Sequence, residues 1–427
     1  MGAKAIVTAA ASSPDVDVVC LGESMVTFVP RQPGRLADVP GFDRGIGGAE
    51  SNVACTLARS GHAARWVSRV GADGFGDHLV AAIAASGVDT AAVQRDPYRP
   101  TGIYFRTAGE RSVDAAAPAG GSEVVYYRAG SAAAAMTPGG FDRAALWGGR
   151  VLHLSGITAV LSEDCLALLR ELTTPAPGRP LVSFDVNYRV GLWRARAAAA
   201  PAGAPGPELL ADLARGCDLV FVGEDEAEAA WGLSGPAAIR AALPEPAVLV
   251  VKHGAEGVTV FAREDGGAGA AGSAPDAPGA APAVPGGAPG DTVTYAPALR
   301  VDVVAPVGAG DAFAAGFLSA TLRGLPVFAR IRHGHLLAAA ALTVPGDLAS
   351  PPTREHADRL AALDPEAWGA LRLAAGWTGA GDPARTSATA HDGADAAAHG
   401  SAHADGGEAA APEVPTVGVP NPEVRNR

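Results

Sequence analysis

Gly308-Ala309-Gly310-Asp311 stands inside the run VAPVGAGDAFAAGF, Val304 to Phe317. Three residues without large side chains, at what reads as the mouth of a helix, expose several backbone N–H groups beside one carboxylate. Those donors and the positive end of the helix dipole make an anion site. Phosphoryl transfer needs that pairing: amides gather charge on the transferring group while a neighbouring acid takes the proton of an attacking hydroxyl. The same residues also fit a tight turn followed by a helix that Asp311 merely caps. The chain has no GxxxxGK[ST] run, so the motif is not a P-loop.

Other residues could join such chemistry. GIGGAESNVACTLARSG, Gly45 to Gly61, places paired glycines before Glu50 and Asn52 at the start of a helix, although an ordinary glycine turn accounts for it equally well. Arg128 closes EVVYYR and Arg189 closes DVNYR. Each arginine suits charge-assisted contact with a ligand carboxylate, or a surface ion pair. Of 33 basic residues only Lys4 and Lys252 are lysine, which singles out Lys252 as a compact ammonium after the apolar run Val248–Val251.

Elements must hold these groups together. Asp17–Leu21, Arg65–Val70, Val151–Leu154, Leu181–Phe184, Leu219–Val222 and Val248–Val251 read as short buried strands, and Leu299–Val304 as the strand entering the Gly308 turn. Helical patterns over Glu50–Ser60 and Phe75–Ser86 alternate with them, which implies a parallel sheet covered on both faces. Ligands of such sheets sit beyond the strands' carboxyl ends. That directs attention to Gly22-Glu23-Ser24, Asp185 to Arg189, Gly223 to Glu226 and Lys252-His253-Gly254. TGIYFRT (101–107) and EVVYYR (123–128) break the alternation and read as antiparallel strands of a small separate sheet, its aromatics forming either a minor core or a lid over a ligand.

Composition excludes several classes. A net charge of −12 argues against a general nucleic-acid or anionic-membrane surface, and no run of about 18 apolar residues could span a bilayer. Residues 1–15 make a poor secretion signal, and Cys20, Cys55, Cys165 and Cys217 are scattered without a CxxC pair, as expected of reduced thiols in a cytoplasmic protein. Residues 265–290 and 379–427, rich in Ala, Gly, Pro, Asp and Ser, are too poor in large apolar groups to fold and are expected to be disordered, like the leader 1–15. One domain over 16–364 remains.

Within that span the chain resembles the ribokinase-like (PfkB) carbohydrate kinases, and among them the branch acting on 2-keto-3-deoxygluconate. The resemblance is carried by GESMVTFVP (22–30), GGAESNVA (47–54), VSRVGADGFG (68–76), TGIYF (101–105), VYYRAGSA (125–132), HLSGIT (153–158), DVNYR (185–189), VKHGAEG (251–257), PVGAGDAFAAGF (306–317) and VPGD (344–347). It implies a three-layer α/β sandwich with a mostly parallel central sheet and a small β lid, the lid strands lying within about 22–46 and 98–130, through which family members often pair. It also implies Asp311 as catalytic base, with the N–H groups of Gly308, Ala309 and Gly310 as anion hole. Substrate contacts would fall to Gly48, Ala49, Glu50, Ser51, Asn52, Tyr104, Tyr126, Tyr127, Arg128, Arg189 and Asp347. The nucleotide would be lined by Asn187, Tyr188, Arg189, Gly223, Lys252, His253, Gly254, Ala255, Glu256, Gly257, Gly308 to Asp311 and His335. ATP would be the donor, a sugar acid the acceptor, and Mg²⁺ would be reached indirectly by Glu226.

Three positions depart from the family pattern. Ala305 replaces an acid associated with monovalent-cation activation, Gly223 replaces the asparagine of N-x-x-E, and His335 stands where asparagine is common. The alternatives are a kinase of a neutral sugar such as fructose or ribose, and a non-catalytic sugar- or nucleotide-binding regulator. A nicotinamide oxidoreductase lacks support, because no GxGxxG closes the first strand.

Overall fold

Short apolar runs bounded by polar residues become the strands of one sheet, because only burial on both faces removes such runs from water. In the computed structural model the described residues are 16–107, 124–199, 206–263 and 290–379. The readings of the leader 1–15, the loop between the two aromatic segments, the insertion 265–290 and the tail 379–427 fall outside them, apart from Gly290 and Gly379.

In chain order the first strands are β1 (Val16–Leu21), β2 (Met25–Pro30), β3 (Phe42–Gly47), β4 (Ala64–Val67), β5 (Arg69–Gly71), β6 (Gln94–Asp96), β7 (Ile103–Arg106) and β8 (Val124–Tyr127). They continue with β9 (Gly149–Ser155), β10 (Leu181–Asp185), β11 (Leu219–Gly223), β12 (Val248–Lys252), β13 (Gly257–Arg263), β14 (Asp291–Pro297), β15 (Arg300–Val301) and β16 (Arg372–Leu373). The main sheet has eight strands in the order β14-β13-β12-β11-β10-β9-β1-β4. It is parallel from β4 to β12 and antiparallel at the β12–β13–β14 edge. From β1 the chain crosses to β4 on one side and later returns to β9 on the other, so the direction of winding reverses beside β1.

Two apolar clusters cover the two faces of the sheet. One gathers Leu152, Leu154, Phe184, Leu210 and Leu213; the other gathers Trp66, Phe221, Phe313 and Phe317, together with Val53 and Leu57. Helices Ala49–Arg59 and Ala309–Leu322 both belong to the second face, which sets their N-termini side by side at the strands' carboxyl ends. The lid is a four-stranded sheet, β3-β2-β7-β8, in which β7 and β8 pair antiparallel as expected. All four cysteines are buried and free. Among the described residues no helix is long and apolar enough to cross a membrane.

Three expectations are corrected. Arg65–Val70 is not one strand: the chain leaves the main sheet at Ser68, and β5 pairs with β6 in a separate ribbon. Leu299–Val304 contributes only β15, which pairs with β16 outside the main sheet, while Val303 and Val304 are 56% and 52% exposed. The folded region does not stop at 364, since Trp368, Leu373 and Trp377 are buried in a third cluster against helix Val327–Leu342.

Candidate active site

Helix Ala309–Leu322 starts from Gly308, whose φ of 75° places it in the left-handed region. Glycine takes that conformation without the side-chain clash other residues meet. A Cβ at this position would lie 2.5 Å from the carbonyl oxygen of Asp347, so the turn is pressed against that residue as well. No side chain caps the helix. The capping alternative for Asp311 therefore fails, and the first-turn amides stay free of protein partners of that kind.

The carboxylate of Asp311 is engaged from another direction. Asn52 Nδ2, on helix Ala49–Arg59, donates to Asp311 Oδ2 at 2.9 Å. The group opens onto a cavity yet lies deep within the protein. Withdrawal from bulk water and the carboxylates of Asp185 and Asp347 push it up, Asn52 and Arg189 pull it down, and it settles at about 7. Burial dominates.

The cavity encloses about 260 Å³ at the carboxyl ends of β1 and β9–β12, beneath the lid. It is lined by Gly48, Ala49, Asn52, Tyr104, Tyr126, Arg128, Asn187, Arg189, Glu226, Lys252, Asp347 and the turn Gly308–Asp311. Each of these was named from the sequence. A larger hollow of about 470 Å³, lined by Phe141, Trp147, Leu168 and Leu172, lies elsewhere with only Arg143 and Glu171 as charged groups. Convergent polar side chains with a shifted carboxyl mark the smaller cavity as the functional one.

At one end of it Lys252 Nζ donates to both oxygens of Asp185, at 3.2 and 3.1 Å. That ammonium also lies 3.9 Å from where a Cβ on Gly310 would stand, which sets it beside the amide turn. Burial lowers the affinity of Lys252 for its proton, but Asp185 and Glu226 outweigh it and the net displacement is upward. Glu226 accepts from Gly223 N–H at 2.8 Å and stands 3.7 Å from Arg189. Asn187 takes a left-handed φ of 43°, and its buried Oδ1 has no protein partner. Strained backbone of this kind clusters at ligand sites.

At the other end Arg128 forms a close ion pair with Glu23, whose second oxygen accepts from Ser131 Oγ at 2.7 Å. The Nε of Arg128 is buried without a hydrogen-bond partner. Tyr104 OH donates to Asp347 Oδ2 at 3.1 Å. Asn52 Oδ1 is also buried and unpartnered.

Several expected residues stand elsewhere. Tyr127 is 61% exposed and meets Phe105, because side chains alternate along β8 and it faces away from Tyr126. Glu50 is buried behind the cavity, accepting from Thr158 Oγ1 at 2.9 Å, and burial pushes its carboxyl up to about 7. Ser51 packs its hydroxyl on Ser24 and Gly48. Tyr188 stacks on Trp193, and His253 sits between Glu224 and Thr259. Gly254, Ala255 and Glu256 form the turn into β13, with Gly257 its first residue, and Gly223 serves to hold Glu226. His335 is packed edge-on against Phe313 and burial drives its imidazole down to about 4. None of these lines the cavity. Conversely, Glu23 and Asp185 line it without an assigned role; Glu23 stands two residues past β1 and Asp185 ends β10, and that position at a parallel strand's carboxyl end is the available signal.

A largely parallel sheet with helices on both faces, closed by a β lid over such a cleft, is the ribokinase-like architecture, and the class it defines here is the sugar kinase. The chain matches the profile described as "pfkB family carbohydrate kinase" over residues 15–354 and belongs to that family of ATP-dependent enzymes. It is 31% identical over 343 residues to the 2-dehydro-3-deoxygluconokinase of Bacillus subtilis (strain 168), covering 80% of this chain and 94% of that one. To the 2-dehydro-3-deoxygluconokinase of Thermoproteus tenax it is 30% identical over 348 residues, covering 81% and 94%. A probable fructokinase of Arabidopsis thaliana is 27% identical over 353 residues, covering 79% and 80%. Among solved structures, the 2-dehydro-3-deoxygluconokinase of Thermotoga maritima superposes with a TM-score of 0.61 at 25% identity, covering 82% of this chain and all of that one.

Proposed function

We propose that the enzyme transfers the γ-phosphoryl group of ATP to a primary hydroxyl of 2-keto-3-deoxygluconate, giving 2-keto-3-deoxy-6-phosphogluconate. The observation that carries the acid specificity is Arg128: a buried guanidinium on the cavity wall with an unsatisfied Nε donor. A ligand carboxylate supplies the missing acceptor, and neutral sugars have none of that charge. The names of the two bacterial and archaeal relatives agree with this choice.

In the reaction Asp311 accepts the hydroxyl proton as the sugar oxygen bonds to the γ-phosphorus. The bond from that phosphorus to the β,γ-bridging oxygen breaks, and ADP leaves with the electron pair. Amides of Gly308, Ala309 and Gly310 face the charge of the transferring group, and Lys252 adds its ammonium from the side. Among the described residues no three His, Cys, Asp or Glu side chains cluster as an all-protein metal cage. Glu226 and the free Oδ1 of Asn187 instead suit the water shell of a Mg²⁺ held mainly by nucleotide phosphates. Bound there, Mg²⁺ would neutralise phosphate charge.

A neutral-sugar reading has one specific support: Glu23 already balances Arg128, so the wall carries no net positive charge. A coupled ADP-release assay across the keto-deoxy acid, fructose and ribose decides between them. A charge-assisted contact is worth about 1.5–3 kcal/mol, so kcat/KM should favour the acid by roughly 10–100-fold. Equal or better turnover of fructose refutes the assignment.

A further inference from the structure

The sugar end of the cavity contains a second buried arginine–acid pair, and its arginine does not touch the cavity. Arg106 closes lid strand β7, and Asp347 follows helix Val327–Leu342 in the body. The guanidinium NH2 stands 2.8 Å from Asp347 Oδ1, off the direction a hydrogen bond prefers, with the two side chains 8% and 4% exposed. Tyr104, two residues earlier on the same face of β7, donates to the other oxygen at 3.1 Å. Both oxygens of one body carboxylate are therefore gripped from a single lid strand.

Residue 347 is also closely packed away from the cavity. A Cβ on Gly47, at the end of lid strand β3, would stand 2.4 Å from Tyr104 OH and 2.6 Å from Asp347 Oδ2. A Cβ on Gly308 would meet the Asp347 carbonyl. Residue 347 is thus wedged between the lid and the turn that presents the anion-hole amides. We propose that Arg106 is a positioning residue: from the lid it holds the Asp347 side chain in register with the Gly308 turn, so that this sugar-binding carboxylate is in place only when the lid is down.

Charge points the same way. Burial holds the Asp347 carboxyl above its usual range, and Arg106 and then Tyr104 pull it back part of the way. An unpaired buried carboxylate would protonate, losing its value as an acceptor of sugar hydroxyls, or would leave its place. The inference rests on Asp347 contacting the substrate, and it holds for whichever sugar the enzyme takes.

The test uses the full chain, ATP and the sugar that the wild type turns over best. Arg106→Gln should raise the sugar KM about tenfold or more while leaving the ATP KM within about twofold, and should raise ADP release without sugar. Arg106→Lys, which keeps the charge, should recover most of the sugar KM. Because Arg106→Gln strands a buried acid, the double variant Arg106→Gln/Asp347→Asn is made too; with both charges gone it should fold and show the sugar KM of Asp347→Asn alone, within about twofold. A sugar KM unmoved in Arg106→Gln, or a further rise in the double variant over Asp347→Asn, overturns the proposal. Parallel rises in both KM values with a lowered Tm in Arg106→Lys also overturn it, as a purely structural staple would behave that way. Should Asp347→Asn itself leave the sugar KM unchanged, the substrate contact fails and this proposal with it; a changed preferred sugar touches only the substrate assignment.

Discussion

Burial, against the pull of Asn52 and Arg189, holds Asp311 at about 7, which suits the general base proposed for it. A base must be unprotonated, so kcat/KM should rise with pH up to about 7 and then level off on this limb. Asp311→Asn should lose roughly 10²–10⁴-fold in kcat with little change in sugar KM; a variant keeping most of its turnover would remove Asp311 from the mechanism. The same shift has a cost in stability. A folded pKa above the unfolded one means the protonated carboxyl stabilises the fold fully below about pH 4, and that contribution is lost as pH rises through about 7. At pH 8 Asp311→Asn should therefore melt higher than the wild type, and the gap should close as pH falls towards 4. Arg128 supplies a second residue-level expectation. Arg128→Ala should raise KM for a sugar acid about tenfold more than for fructose, as read from paired Michaelis curves, because only the acid loses a charge partner. A matched loss on both sugars would make Arg128 a lid anchor held by Glu23 and nothing else.

The turn and helix at 308–322 show how an element constrains its residues. Gly308→Ala places a side chain in the left-handed region and within 2.5 Å of a backbone oxygen, so it should cost about 2 kcal/mol or more and abolish activity. Gly310→Ala meets nothing closer than Lys252 Nζ at 3.9 Å and should leave Tm nearly unchanged. Equal melting of the two variants would show that the turn is not wedged. Much at this scale was legible in the sequence. β9–β12 are apolar runs that only a doubly covered sheet can hide, and small residues before an acid announce a turn opening a helix. The failures have physical causes. Val303 and Val304 are apolar but lie on no sheet, and Arg65–Val70 gives no sign at Ser68 that the chain changes sheets. Tyr126 and Tyr127 are adjacent and alike, so nothing but strand pairing says which faces in. Partner pairs such as Arg128–Glu23 and Arg106–Asp347 join distant stretches of chain, and no local pattern of charge could have matched them.

Across the whole molecule, the cavity-lining groups collect at the parallel centre of the sheet, whereas β13 and β14 form an antiparallel edge away from the cavity. That edge is secured independently. Arg240 forks onto both oxygens of Asp291 at 2.8 and 2.7 Å, and both side chains are fully buried. Arg263 and Asp291 are direct partners in the β13–β14 register, so the chain leaves one strand and enters the next at facing positions. A two-residue Asn-Gly turn can close such a hairpin. Replacing residues 264–290 by that turn should leave kcat and both KM values within about twofold of the wild type, since none of the cavity residues lies on these strands. Stability should hold or improve, because shortening the connection between paired strands lowers the entropy of closing it, by roughly 0.6 kcal/mol per halving of its length. The measurements are Tm and Michaelis constants for both substrates. A loss of activity with an unchanged Tm would mean that the replaced segment contributes to the site, and would extend the functional surface beyond the cleft that the sheet and lid enclose.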